Sequence, residues 1–290
     1  MWAAGDWTDY ELLDAGSGEK LERWGGYILR RPDPQALWPV EKNVQWESAD
    51  AVYHRSGSGG GSWEFISKLP VTWEIAYRRL RLTVKPMQFK HTGIFPEQAV
   101  NWDWVTERIK KSNKRPDDIR ILSLFAYTGA VSVAAASAGA QVCHVDAARG
   151  VVAIAKENAA LSRIPPDRIR YIVDDAMKFI KRELRRGSVY DAIIMDPPAY
   201  GRGPGGELWK AETHLFGMVD QCAGLLAESP LFFLVNSYAS GISAASLDNV
   251  LRIAIGRRYG GRVECGELGL PAASGGFILP CGCCARWERE

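Results

Sequence analysis

No stretch of this chain approaches the roughly 18 consecutive apolar residues that a membrane-crossing helix needs. Its start, Met1-Trp2-Ala3-Ala4-Gly5-Asp6-Trp7, carries neither a basic leader nor an apolar segment, so the expectation is a soluble, cytoplasmic protein with no membrane attachment. Net charge is nearly absent too, with 36 Lys and Arg against 34 Asp and Glu, a balance of +2. A chain so balanced has no global field to draw it onto a polyanion, and any such contact must come from local patches. Three basic runs qualify: Arg78-Arg79-Leu80-Arg81, Lys110-Lys111-Ser112-Asn113-Lys114-Arg115 and Lys181-Arg182-Glu183-Leu184-Arg185-Arg186. Each reads equally well as a solvated face. The six cysteines, at 143, 222, 265, 281, 283 and 284, include no pair of spaced C-x-x-C knuckles, so no structural metal is expected. Strand alternation places Cys281 and Cys283 on one face and Cys284 on the other, as buried apolar thiols.

What is present is enough apolar material for a large core. A chain of 290 residues that is 47% hydrophobic can fill an α/β sheet with helices on both faces and still carry a small extra domain. Up to about residue 95, short runs such as Tyr10 to Leu13, Tyr27 to Arg30, Val52 to His54, Trp63 to Ile66 and Trp73 to Tyr77 alternate with Gly, Pro and Ser clusters. That pattern predicts a β-rich domain over residues 1–95, a candidate for substrate recognition, with Ser56 to Ser62 as a hairpin tip. Residues 96–290 form the second expected domain, opened by a helix after Pro96 with Val105 and Ile109 at helical spacing. Trp102 and Trp104 are expected in a core or an interface.

Chemistry enters at the strand ends of this second domain. The run Ala192-Ile193-Ile194-Met195 reads as a buried strand, and it ends in Asp196-Pro197-Pro198-Ala199-Tyr200. Prolines fix φ and lack N–H groups, so the carbonyls of Asp196 and Pro197 can face outward as acceptors. Together with the Asp196 carboxylate they can hold an amino group, and Tyr200 can wall the same slot against a flat ring. Upstream, Ile121-Leu122-Ser123-Leu124 reads as a strand, Phe125-Ala126-Tyr127-Thr128-Gly129 as a tight turn, and Ala130 to Ala136 as a small-residue helix ended by Gly139. The next strand, Gln141-Val142-Cys143-His144-Val145, ends at Asp146, near the ~20-residue interval at which nucleotide folds place the acid for ribose hydroxyls. A third strand, Ile169 to Val173, ends in Asp174-Asp175-Ala176, where an acid can accept from an adenine amino group.

The turn contains one glycine, Gly129, where a pyrophosphate site would need G-x-G-x-x-G, which disfavours a dinucleotide and with it a dehydrogenase. A phosphate-free cofactor fits better. S-adenosylmethionine offers a ribose to Asp146, an adenine to Asp175, an amino-acid end to the turn from Phe125 to Gly129, and a methyl group on its sulfonium.

These residues resemble the class I S-adenosylmethionine-dependent methyltransferases, and within them the bacterial enzymes that methylate large-subunit ribosomal RNA. The resemblance rests on Leu124-Phe125-Ala126-Tyr127-Thr128-Gly129-Ala130, Gly139-Ala140 before Val145-Asp146, Ala155-Lys156-Glu157-Asn158, Asp174-Asp175-Ala176 and Asp196-Pro197-Pro198. Gly93-Ile94-Phe95-Pro96-Glu97-Gln98 is similar to a family segment that lies near the cofactor, and Tyr10 to Arg23 resembles the opening of one branch, so the likeness covers nearly the whole chain. It implies a doubly wound sheet that finishes in an antiparallel hairpin, here Gly261 to Glu267 and Phe277 to Arg286 after a helix over Ala244 to Arg258. It also implies cofactor contacts at Phe95, Gln98, Phe125, Tyr127, Thr128, Gly129, Asp146, Ala147, Asp175, Ala176 and Asp196, and an RNA substrate, ribosomal RNA being favoured. Asp196, Pro197 and Tyr200 are the expected acceptor-side residues.

Two departures shape the reaction expected. Ser123 stands where the family commonly has Asn or Asp. After the fifth strand, Leu231 to Val235, the chain reads Asn236-Ser237-Tyr238-Ala239-Ser240, and the cysteine that relatives acting on cytosine carbon 5 carry in this turn is missing. Carbon 5 is a poor nucleophile until a thiolate adds to the ring. The expected reaction is therefore methyl transfer to an exocyclic amine of a base in structured RNA. Its alternatives are a cytosine carbon-5 enzyme with a cysteine from elsewhere, or a non-catalytic RNA-binding module that keeps the fold.

Overall fold

A computed structural model describes the chain except residues 58–59, 88, 203–207 and 290. It divides into two compact units, Met1–Val100 with Leu268–Cys281, and Asn101–Glu267 with Gly282–Glu290. The boundary expected from the sequence falls after residue 95. In the structure the first unit runs on to Val100 and takes back residues 268–281, because Trp2–Ala3 pairs in parallel with Leu268 and Gly269, and the Ala273 and Ser274 N–H groups donate to the Leu12 and Leu13 carbonyls.

The first unit is β-rich. Its main sheet has the order Tyr10–Gly16, Glu19–Trp24, Tyr27–Pro32, Ala51–Arg55, Gly61–Phe65, antiparallel except for the third and fourth strands. A second hairpin pairs Trp73–Tyr77 with Leu80–Val84. Leu21, Trp46, Ala49 and Val52 form a small apolar cluster. Beside it lies a buried ionic group: Arg31 makes a two-pronged pair with Glu22 at 2.6 and 2.8 Å, and Tyr10 donates to the same carboxylate at 2.8 Å. Burial alone would raise the pKa of Glu22, but the charges of Arg31 and Lys20 and these hydrogen bonds prevail and hold it at about 2.

The second unit is built on parallel strands with apolar, nearly continuous sequences, as befits strands covered on both faces. In space their order is Phe232–Ser237, Ala192–Met195, Arg120–Leu124, Gln141–Asp146, Ile169–Val173. Residues 283–288 of the strand Ile278–Glu288 add an antiparallel ladder to Phe232–Ser237. Arg262–Pro271 is that strand's other neighbour, and both strands contribute residues to both units. The sheet therefore ends in an antiparallel hairpin, as expected. Leu122, Val145, Ile193, Phe179 and Phe233 are fully buried in one continuous core. Between Arg120–Leu124 and Ala192–Met195 the connection order reverses, and such a switch point opens a crevice at the carboxyl ends of the two strands. The helix expected over Ala244 to Arg258 runs as α-helix through Ala244–Leu251 and then as a π-turn at Arg252–Gly256. Among the described residues no helix is long and apolar enough to cross a membrane.

Candidate active site

The turn Phe125 to Gly129 leaves the central strand in a conformation few sequences adopt. Phe125, Tyr127 and Gly129 all have left-handed φ, at +53°, +51° and +83°. For the two non-glycine residues this costs about 1–2 kcal/mol each, and the surrounding bonds over-determine it. Ala126 N–H donates to the Val145 carbonyl at 3.1 Å and Gly129 N–H to that of Ala126 at 3.0 Å, while the buried Asn158 amide donates to the Thr128 carbonyl at 2.8 Å. Tyr127 N–H donates to Asp146 Oδ2 at 2.9 Å. Glycine is required at 129 on two counts, its φ and the 2.8 Å at which an added Cβ would meet the Cβ of Ala155. Beneath the turn lies His144, fully buried, its Nδ1 3.0 Å from Ser132 Oγ. Burial pulls its pKa down to about 4, so it stays neutral.

Asp146 holds the turn and faces the crevice at once. Its Oδ1 accepts from Ala148 N–H at 2.9 Å and its Oδ2 from Tyr127 N–H, which locks the half-buried carboxylate with one backbone bond per oxygen. A carboxylate has about four acceptor positions, so each oxygen retains one for a further donor, an arrangement suited to a diol. Ala147, next to it, is exposed. On the neighbouring strand Asp174 is taken up by its own fold, accepting from Asp175 N–H at 2.9 Å and pairing with Arg182 at 2.7 Å. Asp175 caps the helix Ala176–Arg186, its Oδ1 accepting from Lys178 N–H at 2.9 Å, and Ala176 is buried in the first turn. Asp175 Oδ2 has no partner among the described residues.

Across the switch point, Asp196 N–H reaches the Leu124 carbonyl at 3.4 Å, which ties the two loops together. The Pro198 carbonyl accepts from the Trp209 indole at 2.6 Å and the Ala199 carbonyl from Ala211 N–H at 3.0 Å. The carbonyl of buried Pro197 is left with no donor among the described residues. Tyr200 opens the short strand Tyr200–Arg202, paired with Leu208–Lys210, and is 56% exposed. The glycine-rich residues 201–206 that continue from Tyr200 lie mostly outside the described residues.

The second unit thus brings together the turn 125–129, Asp146, Ala147, Asp175, Ala176 and the Asp196 to Tyr200 loop. Phe95 and Gln98 belong to the first unit. Phe95 packs against His91 with centroids 5.3 Å apart, and its carbonyl accepts from Gln98 N–H at 3.1 Å. Sequence reasoning missed Trp209, which joins the acceptor loop to the turn by packing on Phe125 with centroids 5.8 Å apart and also stacks on His214. It missed a buried polar group as well: Arg286 donates to Asn101 Oδ1 at 2.9 and 2.6 Å, and Asn101 Nδ2 to Asn236 Oδ1 at 2.9 Å. Neither has a local signature.

The thiols bear on the chemistry. Burial pushes Cys143 and Cys222 up, Cys281 well up, Cys283 to about 11 and Cys284 to about 12. The pKa of exposed Cys265 is raised too, by desolvation and by Asp248. All six are free and protonated at neutral pH.

The basic runs are partly neutralised. Arg182 pairs with Asp174, Arg186 with Glu183, Lys111 with Glu107, Lys114 with Asp191, Arg115 with Asp118 and Arg78 with Asp6.

The family model described as S-adenosylmethionine-dependent methyltransferase matches residues 48–208. Ribosomal RNA large subunit methyltransferase K/L of Chromohalobacter salexigens is 33% identical over 173 residues, 58% of this chain and 21% of that protein. Ribosomal RNA large subunit methyltransferase I of Serratia proteamaculans is 35% identical over 152 residues, 52% of this chain and 37% of that protein. These matches span well under two thirds of either relative. The crystal structure of a SAM-dependent methyltransferase from Agrobacterium tumefaciens superposes with a TM-score of 0.92 at 37% identity, over 100% of this chain and 93% of that one. The structure of SMU.776 complexed with SAH shares the fold at a TM-score of 0.74 and 18% identity, over 98% of this chain and 76% of that one.

Proposed function

The chain belongs to the S-adenosylmethionine-dependent methyltransferases, and from that premise we propose that it methylates an exocyclic amine of a base in RNA, ribosomal RNA being the favoured substrate. The residues fit the cofactor: the Asp146 carboxylate, pinned by two backbone N–H groups with acceptor positions to spare, suits a ribose diol. Asp175 Oδ2 suits an adenine amine, and the strained turn, with Gly129 closely packed, suits the amino-acid end. Phe125, Tyr127, Thr128, Ala147 and Ala176 complete the proposed contacts. When bound, the cofactor supplies an electrophilic methyl carbon.

Asp196 and the Pro197 carbonyl each accept one N–H of the acceptor amine, which orients the nitrogen lone pair along the line of attack. The gain is one of positioning. On taking up the cofactor's methyl group the acceptor nitrogen would become acidic, and Asp196 would take its proton. Tyr200 stacks on the base. The relatives named as ribosomal RNA methyltransferases support the substrate class.

One observation carries the amine over cytosine carbon 5: the turn at Asn236 to Ser240 contains no cysteine, and burial raises the pKa of the thiols elsewhere in the chain. A carbon-5 route needs a thiolate. The test is transfer from labelled S-adenosylmethionine to ribosomal RNA, run beside the same RNA with 5-fluorocytosine in place of cytosine. Label in an N-methylated base and no protein–RNA adduct supports the proposal. A covalent adduct would refute it and install the carbon-5 route.

A further inference from the structure

In the first unit the strand Gly61–Phe65 forms the edge of the five-stranded sheet, and aromatic side chains gather there that the core does not absorb. Trp63 and Phe65 lie on one face, stacked with centroids 6.4 Å apart, and Phe65 is 57% exposed. The Trp63 indole donates to the Met87 carbonyl at 2.8 Å. This bond anchors a second short turn, closed by Lys85 N–H to the Thr92 carbonyl and Met87 N–H to that of His91 at 2.9 and 3.0 Å. Phe89 rides on that turn, 58% exposed and in reach of Gly60. Between them is a cavity of about 580 Å³ lined by His54, Arg55, Ser56, Gly60, Gly61, Ser62 and Phe89, within the ~300–1,000 Å³ range of small-ligand sites.

The charge of this cavity is one-sided. Arg55 makes no ion pair among the described residues, and Glu64, the acid of the edge strand, is hydrogen-bonded to His54 at 2.7 Å. On the residues after Phe89, burial is the main cause that brings Lys90 down to about 8, with Lys20, Arg31 and Arg55 together outweighing the opposing charge of Asp33. Burial with Arg31, Lys90 and Lys20 brings His91 down to about 4. An exposed ring beside an uncompensated guanidinium is the pairing with which proteins hold unpaired nucleotides, the ring for the base and the cation for the phosphate.

We infer that this cavity is a second RNA contact, away from the reacting atoms, in which an unpaired nucleotide stacks on Phe89 and sets its phosphate against Arg55. The inference rests on the reading of RNA as the acceptor.

Anisotropy of a short fluorescein-labelled oligouridylate, titrated with the full chain over a range of salt, tests it. Phe89→Ala is expected to weaken binding about tenfold, with Phe89→Tyr restoring it. Arg55→Ala should reduce the slope of log Kd against log salt by about 0.7, the loss of one single-strand phosphate contact. S-adenosylmethionine affinity should be unchanged in all three variants, and circular dichroism and melting curves matching those of the parent report that the first unit folds. Unchanged oligouridylate binding in Phe89→Ala and Arg55→Ala, or no binding by the parent chain, overturns the inference. So does concentration-dependent self-association that Phe89→Ala abolishes without any effect on RNA, since the face would then be a protein interface. Methyl transfer to ribosomal RNA, measured alongside, separates the two claims: transfer without oligouridylate binding removes only this site, whereas no transfer to any RNA removes the reading beneath it.

Discussion

Replacing Asp146 by asparagine changes almost no volume, and its effect follows from the two bonds the carboxylate makes. Each oxygen accepts one backbone N–H at 2.9 Å, from Tyr127 and from Ala148. An asparagine has one acceptor oxygen, so its NH₂ group must face one of those donors, and at most one bond survives. If the Tyr127 bond is lost, the left-handed turn at φ +51° loses a main constraint. A hydrogen bond to a charged group contributes about 1.5–3 kcal/mol, and the ribose contacts proposed for the same oxygens weaken together with it. Calorimetry should therefore show S-adenosylmethionine binding at least tenfold weaker in Asp146→Asn and weaker still in Asp146→Ala. The melting temperature should fall by about 2–4 °C for each kcal/mol lost from the turn. If both variants bound the cofactor with the parent affinity, the assignment of Asp146 would be refuted, however much stability had changed.

Gly129→Ala places a Cβ 2.8 Å from that of Ala155 at φ +83°, so it should destabilise by about 1–3 kcal/mol and weaken cofactor binding, as read by denaturant unfolding and calorimetry. Tyr200→Ala should lower methyl transfer roughly tenfold with cofactor affinity intact, and Tyr200→Phe should be mild; a parallel drop in folded protein would instead mark Tyr200 as structural. Trp209→Phe keeps a ring against Phe125 but loses the bond to the Pro198 carbonyl, so steady-state kinetics should show a lower kcat with little change in cofactor affinity. His91 and His144, each held at about 4 mainly by burial, against an ordinary 6.5, favour the folded state fully only above the unfolded value. Unfolding free energy should accordingly drop as pH falls from 6.5 toward 4, and a His91→Gln, His144→Gln double variant should flatten that segment.

The central strands of the second unit were legible because parallel strands buried on both faces read as apolar runs, and each of the three marked acids sits at the end of a strand, that before Asp175 being the half-exposed edge strand. Asp146 was found for that reason, and the turn 125–129 because one glycine closes it. Asp175 was legible as an acid and not as a helix cap, since the capping bond depends on where the helix starts. Trp209 was invisible because its partner Phe125 is distant in sequence, as Asn101 is from Asn236 and Arg286. The path of residues 268–281 escaped for a similar reason: a strand's sequence names its pleat and not the neighbour it pairs with. The π-turn at Arg252–Gly256 leaves the apolar pattern of its helix intact and so gave no warning.

The proposed reaction transfers a methyl group to an exocyclic amine of an RNA base with Asp196 at the acceptor. Mass spectrometry of ribosomal RNA nucleosides from a deletion strain and its parent tests it most directly. One N-methylated nucleoside should be missing from the deletion strain, restored by the parent gene and not by Asp196→Ala. Loss of 5-methylcytidine, or a nucleoside profile identical to that of the parent, would contradict it.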